Sequence, residues 1–195
     1  MSISKTDICN MALVRVGAKT ITNITDDSAE ARALNKVYEI SLRSALSETC
    51  WNFAVKRKLL ATADVTFDWY FTNETYIYAK PADCVRIFQT NEDKAVWRLE
   101  GSYILSDTAD LGIKYVYYLD EASRYPIAFV DALADRLASD IAYLISGSKT
   151  LSSEMLEKYE KVSLSKALAE NAQIGTHQSL MDDEWTNAKY SDGGI

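Results

Sequence analysis

Apolar residues recur at helical spacing near both ends of the chain and at strand spacing between them. Ile8, Met11, Ala12 and Val16 share one stripe, which predicts a helix from about Lys5 to Val16. Ser4 precedes it as a candidate N-cap, Asp7 complements its amino end, and Gly17 is suited to end it. A second helix is expected from about Ser28 to Ser47. Leu34, Val37, Tyr38, Leu42, Ala45 and Leu46 keep its apolar face, while Arg32, Lys36, Glu39 and Arg43 take the others. Asp26 and Asp27 stand where a carboxylate meets the unpaired N–H groups of a helix start, so they read as a cap rather than a metal-ligand pair.

After Trp51-Asn52 the period changes to two. Phe53, Val55, Arg57 and Leu59 alternate as a strand. Short runs follow at Tyr76–Tyr78, Val85–Phe88, Ala95–Leu99 and Tyr103–Leu105, and the strongest spans Ile113 to Leu119. Aromatic and β-branched enrichment between turn signals predicts an antiparallel sheet of five or six strands. Helical period returns after Pro126, with Phe129, Val130, Leu133, Leu137, Ile141, Leu144 and Ile145 in one stripe that Gly147 closes. A more polar last helix is expected from about Ser152 to Ala172, carrying Met155, Leu156, Tyr159, Val162 and Leu168. Residues 174–195 have no periodicity and read as an extended tail. The expected fold is α+β: a four-helix core from residues 1–50 and 126–173, a β-rich antiparallel insertion over residues 51–125 between the second and third helices, and that tail.

Composition narrows the function. A chain of 195 residues is expected to bury roughly 70% of its unfolded surface, so no disulfide or metal staple is required. Cys9, Cys50 and Cys84 are odd in number and widely spaced, which suits free thiols rather than a disulfide framework or zinc site. The single His argues against His-based catalysis. The first residues do not resemble a signal peptide, and no apolar run is long enough to span a bilayer. Charge is uneven: residues 1–60 carry +3, and residues 61–125 and 126–195 carry −5 each. Such a balance disfavours tight duplex binding, for which phosphate contacts need a basic face.

No nucleophile elbow, phosphate loop, dinucleotide turn or HExxH motif occurs, and no cofactor is expected. Asp182-Asp183-Glu184 is the densest acidic run, but on a tail it lacks the rigid opposition that glycoside hydrolysis needs. Asp107, Asp110 and Asp120 flank the strands and are the carboxylates of a carbohydrate-active alternative. The dense basic run Lys56-Arg57-Lys58 reads as a solvated strand edge or as a contact to a neighbour of opposite charge. Eight of the twelve Tyr fall between residues 70 and 125, either as amphipathic sheet residues or as an aromatic platform. Trp185 and Tyr190 have no local element to bury them. They suit a solvated tail, or an arm anchoring on a neighbouring subunit or partner.

Leu13-Val14-Arg15-Val16-Gly17 ends the first helix, a threonine/aspartate turn follows, and Glu30-Ala31-Arg32 stands in the second helix. Trp51-Asn52-Phe53, the run from Tyr78 to Cys84, Trp97-Arg98-Leu99-Glu100-Gly101 and the helix from Phe129 to Gly147 come next. In these features and their order, the chain up to about residue 172 resembles the tail tubular protein A family, the head-to-tail adaptors of short-tailed bacteriophages. The resemblance implies a ring, usually of twelve subunits, between the portal protein and the tail nozzle (tail tubular protein B). In the virion it would continue the DNA channel after assembly in the host cytoplasm, with no enzymatic role. An acidic channel wall would let DNA slide without specific binding.

Overall fold

The computed structural model describes residues 2–174. Helix α1 (Lys5–Arg15) opens with a reciprocal cap: the Asp7 N–H donates to Ser4 Oγ at 3.1 Å, and the Ser4 N–H donates to Asp7 Oδ2 at 2.8 Å. Gly17 follows at φ +71°, a left-handed position where a side chain would be strained. Helix α2 (Ala29–Ser47) is capped by Ser28, whose Oγ accepts from the Ala31 N–H at 3.1 Å. The aspartates expected to cap it do other work. Asp26 accepts the N–H groups of Thr22 and Asn23 and closes the preceding loop, and Asp27 pairs with Arg32. Asp26 lies two residues and Asp27 one residue before the cap position that Ser28 takes, too early to reach the orphan donors of the first turn.

Helix α3 (Ile127–Ser146) is apolar on nearly every side and is the hub of the helical part, as expected of a helix enclosed by others. Helices α1 and α2 and the helical run that follows α3 all pack on it. What reads in sequence as one polar helix is a continuous helical run in three parts. They are α4 (Lys149–Lys158, capped by Ser148), a π turn (Tyr159–Ser163) and α5 (Leu164–Gln173). Within the π turn Tyr159 and Ser163 are buried, while no residue of α4 is. Among the described residues, no helix is long and apolar enough to cross a membrane.

Between α2 and α3 lie six strands: β1 (Val55–Leu59), β2 (Tyr76–Ala79), β3 (Cys84–Thr90), β4 (Trp97–Glu100), β5 (Tyr103–Ser106) and β6 (Gly112–Tyr117). They form two antiparallel three-stranded sheets, β1-β6-β3 and β2-β5-β4, rather than the one sheet expected. The last strand returns to pair between β1 and β3, leaving the β4–β5 hairpin to pair with β2. Two register shifts in β3 bend the first sheet. The chain is therefore α+β, with the strands placed between the helical pairs.

Entry to and exit from the β part meet at one aromatic cluster. Trp51 packs edge-on to Phe129 with ring centroids 5.0 Å apart, and its Nε1–H donates to the Ala45 carbonyl at 2.8 Å. Phe53 lies 4.8 Å from Phe129, and Tyr125 lies 5.2 Å from it. A second tie crosses the helices. The Asp135 carboxylate of α3 is only 2% exposed and meets Arg15 of α1 at 3.0 Å and Lys158 of α4 at 2.9 Å. Arg15 also pairs with Asp131 at 2.9 Å.

Candidate functional site

The run Lys56-Arg57-Lys58 lies on β1, an outer strand of its sheet, but its three cations are employed differently. Lys56 Nζ donates to Asp83 Oδ2 at 2.6 Å and sits 3.9 Å from the Tyr117 ring centroid. The Tyr115 hydroxyl donates to the other Asp83 oxygen at 3.2 Å. Burial raises the Asp83 carboxyl, but the Lys56 hydrogen bond and charge and the Tyr115 hydroxyl together outweigh it, so the group titrates below its ordinary value. Burial, with the Asp83 charge, pushes the Tyr115 phenol up to about 12.

A carboxyl with a lowered folded pKa contributes stability above its unfolded value, and that stability is lost as pH falls through the folded value. The Asp83→Asn variant should accordingly unfold with a shallower loss of stability below pH 4. Since the pair is partly exposed, the effect should be about 0.2–1 kcal/mol at neutral pH, to be checked by urea unfolding across pH.

Arg57 and Lys58, in contrast, line an open groove of about 430 Å³ together with Lys114, Gln89, Thr90 and Asn91; Asp93 is its one carboxylate. Arg57 and Lys114 are direct cross-strand partners. Like charges in that position repel. Asn91 pins the floor: its Oδ1 accepts the Gly112 N–H at 2.7 Å while its own N–H donates to the Gly112 carbonyl at 2.9 Å. A side chain at position 112 would collide with it, since a Cβ there would stand 3.1 Å from Asn91 Cγ.

One outer strand of the second sheet, β4, has opposite chemistry. Every residue of β4 is exposed, including Trp97 and Leu99. The loop before β2 adds Trp69, 68% exposed, packed edge-on against Phe71 with centroids 4.9 Å apart. Phe67, Trp69 and Phe71 share a cavity of about 250 Å³ with Asp68, Glu74 and Glu100. Arg98 reaches Glu74 at 3.2 Å and Glu100 at 3.6 Å, and its guanidinium stacks 4.6 Å from the Phe71 ring centroid. Glu74 also accepts the Phe71 N–H at 3.0 Å, so part of this acidity shapes the loop.

The carboxylates singled out from sequence are placed elsewhere. Asp107 accepts the Val96 N–H and the Thr108 hydroxyl, Asp110 occupies a left-handed turn at φ +54°, and Asp120 faces Lys5 at 3.9 Å. None of them lines the groove or the aromatic cavity. Sequence reasoning missed Lys114, which reaches Arg57 only through strand pairing, and the acidic residues Asp68 and Glu74 around the aromatic loop. The run from Phe67 to Phe71 was the available signal for that loop, with four aromatics in five residues. Trp185, Tyr190 and the run Asp182–Glu184 lie outside the described residues. Among the described residues, no cluster of His, Cys, Asp and Glu is arranged to hold a metal ion. Burial pushes the Cys9 thiol up to about 12 and raises Cys84. No protein-family model matches the chain, and no curated protein matches it.

Proposed function

We propose that this protein is a structural subunit of a phage head-to-tail adaptor, like tail tubular protein A. It would form a ring, dodecameric in that family, that joins portal protein to tail nozzle and continues the DNA channel of the virion. The observation that carries this reading is a pair of unlike outer strands: β1 borders a cation-lined groove, and β4 carries exposed Trp97 and Leu99 beside the acidic cavity of the aromatic loop. Closed rings need two different, complementary faces on one protomer. Exposed aromatic surface of this kind marks protein–protein contact. The net charge of −7 suits a wall past which DNA slides without specific binding.

In this reading Arg57 and Lys58 carry the basic contact, because Lys56 is already held by Asp83. Trp185 and Tyr190 serve as anchors of the carboxy-terminal residues. Mixing purified protein with its portal and imaging the product should give a collar of density on the portal ring. Truncation after Gly175 should weaken that collar. Absence of any ring-shaped product with portal would overturn the reading.

A second reading, carbohydrate-active hydrolysis by a tail protein, draws support from the cavity where three aromatics meet Asp68, Glu74 and Glu100. It predicts glycan turnover that Asp68→Asn or Glu100→Gln abolishes. Inactivity of the native protein across a glycan panel would remove it.

A further inference from the structure

We infer that the groove bordering β1 is a binding site for the acidic segment Asp182-Asp183-Glu184-Trp185 of the same chain. The groove brings together Arg57, Lys58 and Lys114 against the single carboxylate of Asp93. Among the described residues none of these three cations forms an ion pair, whereas Lys56 beside them does. Direct opposition of Arg57 and Lys114 across two strands costs stability unless an anion lies between them. Gln89 adds a side-chain N–H donor suited to a carboxylate oxygen, whereas Thr90 and Asn91 already donate to the carbonyls of Glu92 and Asp110.

The course of the chain supplies the anion nearby. Asn171, near the end of α5, is bracketed to the start of the β part. Its Oδ1 accepts the Asn52 N–H at 2.9 Å, its carbonyl accepts from Asn52 Nδ2 at 2.8 Å, and its Nδ2 donates to the Cys50 carbonyl at 3.0 Å. Residue 174 thus lies about one helical turn beyond Asn171, the residue bonded to Asn52 ahead of β1. The path from Asn52 to Lys58 is about 20 Å at most, at the rise of an extended strand. Eight residue steps separate Ile174 from Asp182, and they reach up to about 26–29 Å when extended.

The carboxylates therefore come within range of Arg57 and Lys114, and Trp185 can cover Leu59, which lies on the same face of β1 and is 63% exposed. A nucleic-acid phosphate fits less well, given Asp93 in the groove and the overall negative charge. This inference does not depend on the ring: it concerns the free, full-length protein.

Carbodiimide cross-linking tests it directly, because it joins a carboxylate to an amine only where the two are in contact. Full-length protein should be prepared as an equal mixture of ordinary and nitrogen-15-labelled chains, cross-linked when dilute, and mapped by mass spectrometry. The expected result is an amide between Lys58 or Lys114 and Asp182, Asp183 or Glu184, with both peptides carrying the same isotope. The variant D182N/D183N/E184Q should lose these links and shift the backbone amide resonances of residues 57–59 and 112–114. Added salt should lower the yield by screening. Links that join unlike isotopes as often as like ones would assign the groove to a neighbouring copy and overturn the inference. Links from the acidic run only to other lysines, or none at all, would overturn it too. Because the readout uses the free chain, failure to form a collar with portal leaves the result legible.

Discussion

Arg15→Met is expected to lower the unfolding free energy by about 3–5 kcal/mol, the cost of leaving a buried charge with too little compensation. Asp135 is 2% exposed, and without Arg15 its remaining partner Lys158 is 44% exposed and so screened by solvent. The reverse change should be milder. Asp135→Leu removes the buried charge itself, Lys158 can turn to water, and Arg15 keeps Asp131. The double variant Arg15→Met/Asp135→Leu should therefore recover much of the loss of Arg15→Met. Urea unfolding of the two single variants and the double variant checks the order. A single Asp135→Leu variant less stable than Arg15→Met would refute this account of the tie. In heat, each kcal/mol should appear as about 2–4 °C in Tm for a chain of this size.

Phe129→Ala should cost about 3–5 kcal/mol, in the range for truncating a buried aromatic. The ring is 1% exposed and contacts Trp51, Phe53 and Tyr125 at once, so little can collapse into the space it leaves. The loss should be felt in both parts of the molecule, because this ring lies where the strands join the helices. Far-UV signal from the helices and the amide NMR signals of the strands should shift to lower denaturant together. Separate transitions would show that the two parts unfold independently. Trp51→Phe should be gentler, losing chiefly the indole bond to the Ala45 carbonyl.

Helix ends were readable because their signals are local. Ser4 with Asp7, Pro126 before α3, and Gly147 at φ +70° each act within a few residues. The existence of the strands was readable for the same reason, through alternation. Their division into two sheets was not, because β6 must travel past the β4–β5 hairpin to pair with β1 and β3. Nothing in the spacing of Arg57 and Lys114 announces that they face one another, so the groove was invisible while its first half was conspicuous. The π turn at Tyr159–Ser163 left no mark either, since one extra residue in a polar helix hardly alters its period. The tie from Asp135 joins three helices far apart in the chain, and a lone aspartate in an apolar stripe does not name its partners.

Both strands of traffic into and out of the β part cross a single aromatic knot around Phe129. Geometrically this makes the strands a cassette: loops beyond residues 54 and 122 can lengthen, shorten or change chemistry without disturbing the register of the helices. It also makes the knot a fulcrum, so that a load applied at β1 or β4 is passed straight to α3 and shared among the helices that grip it.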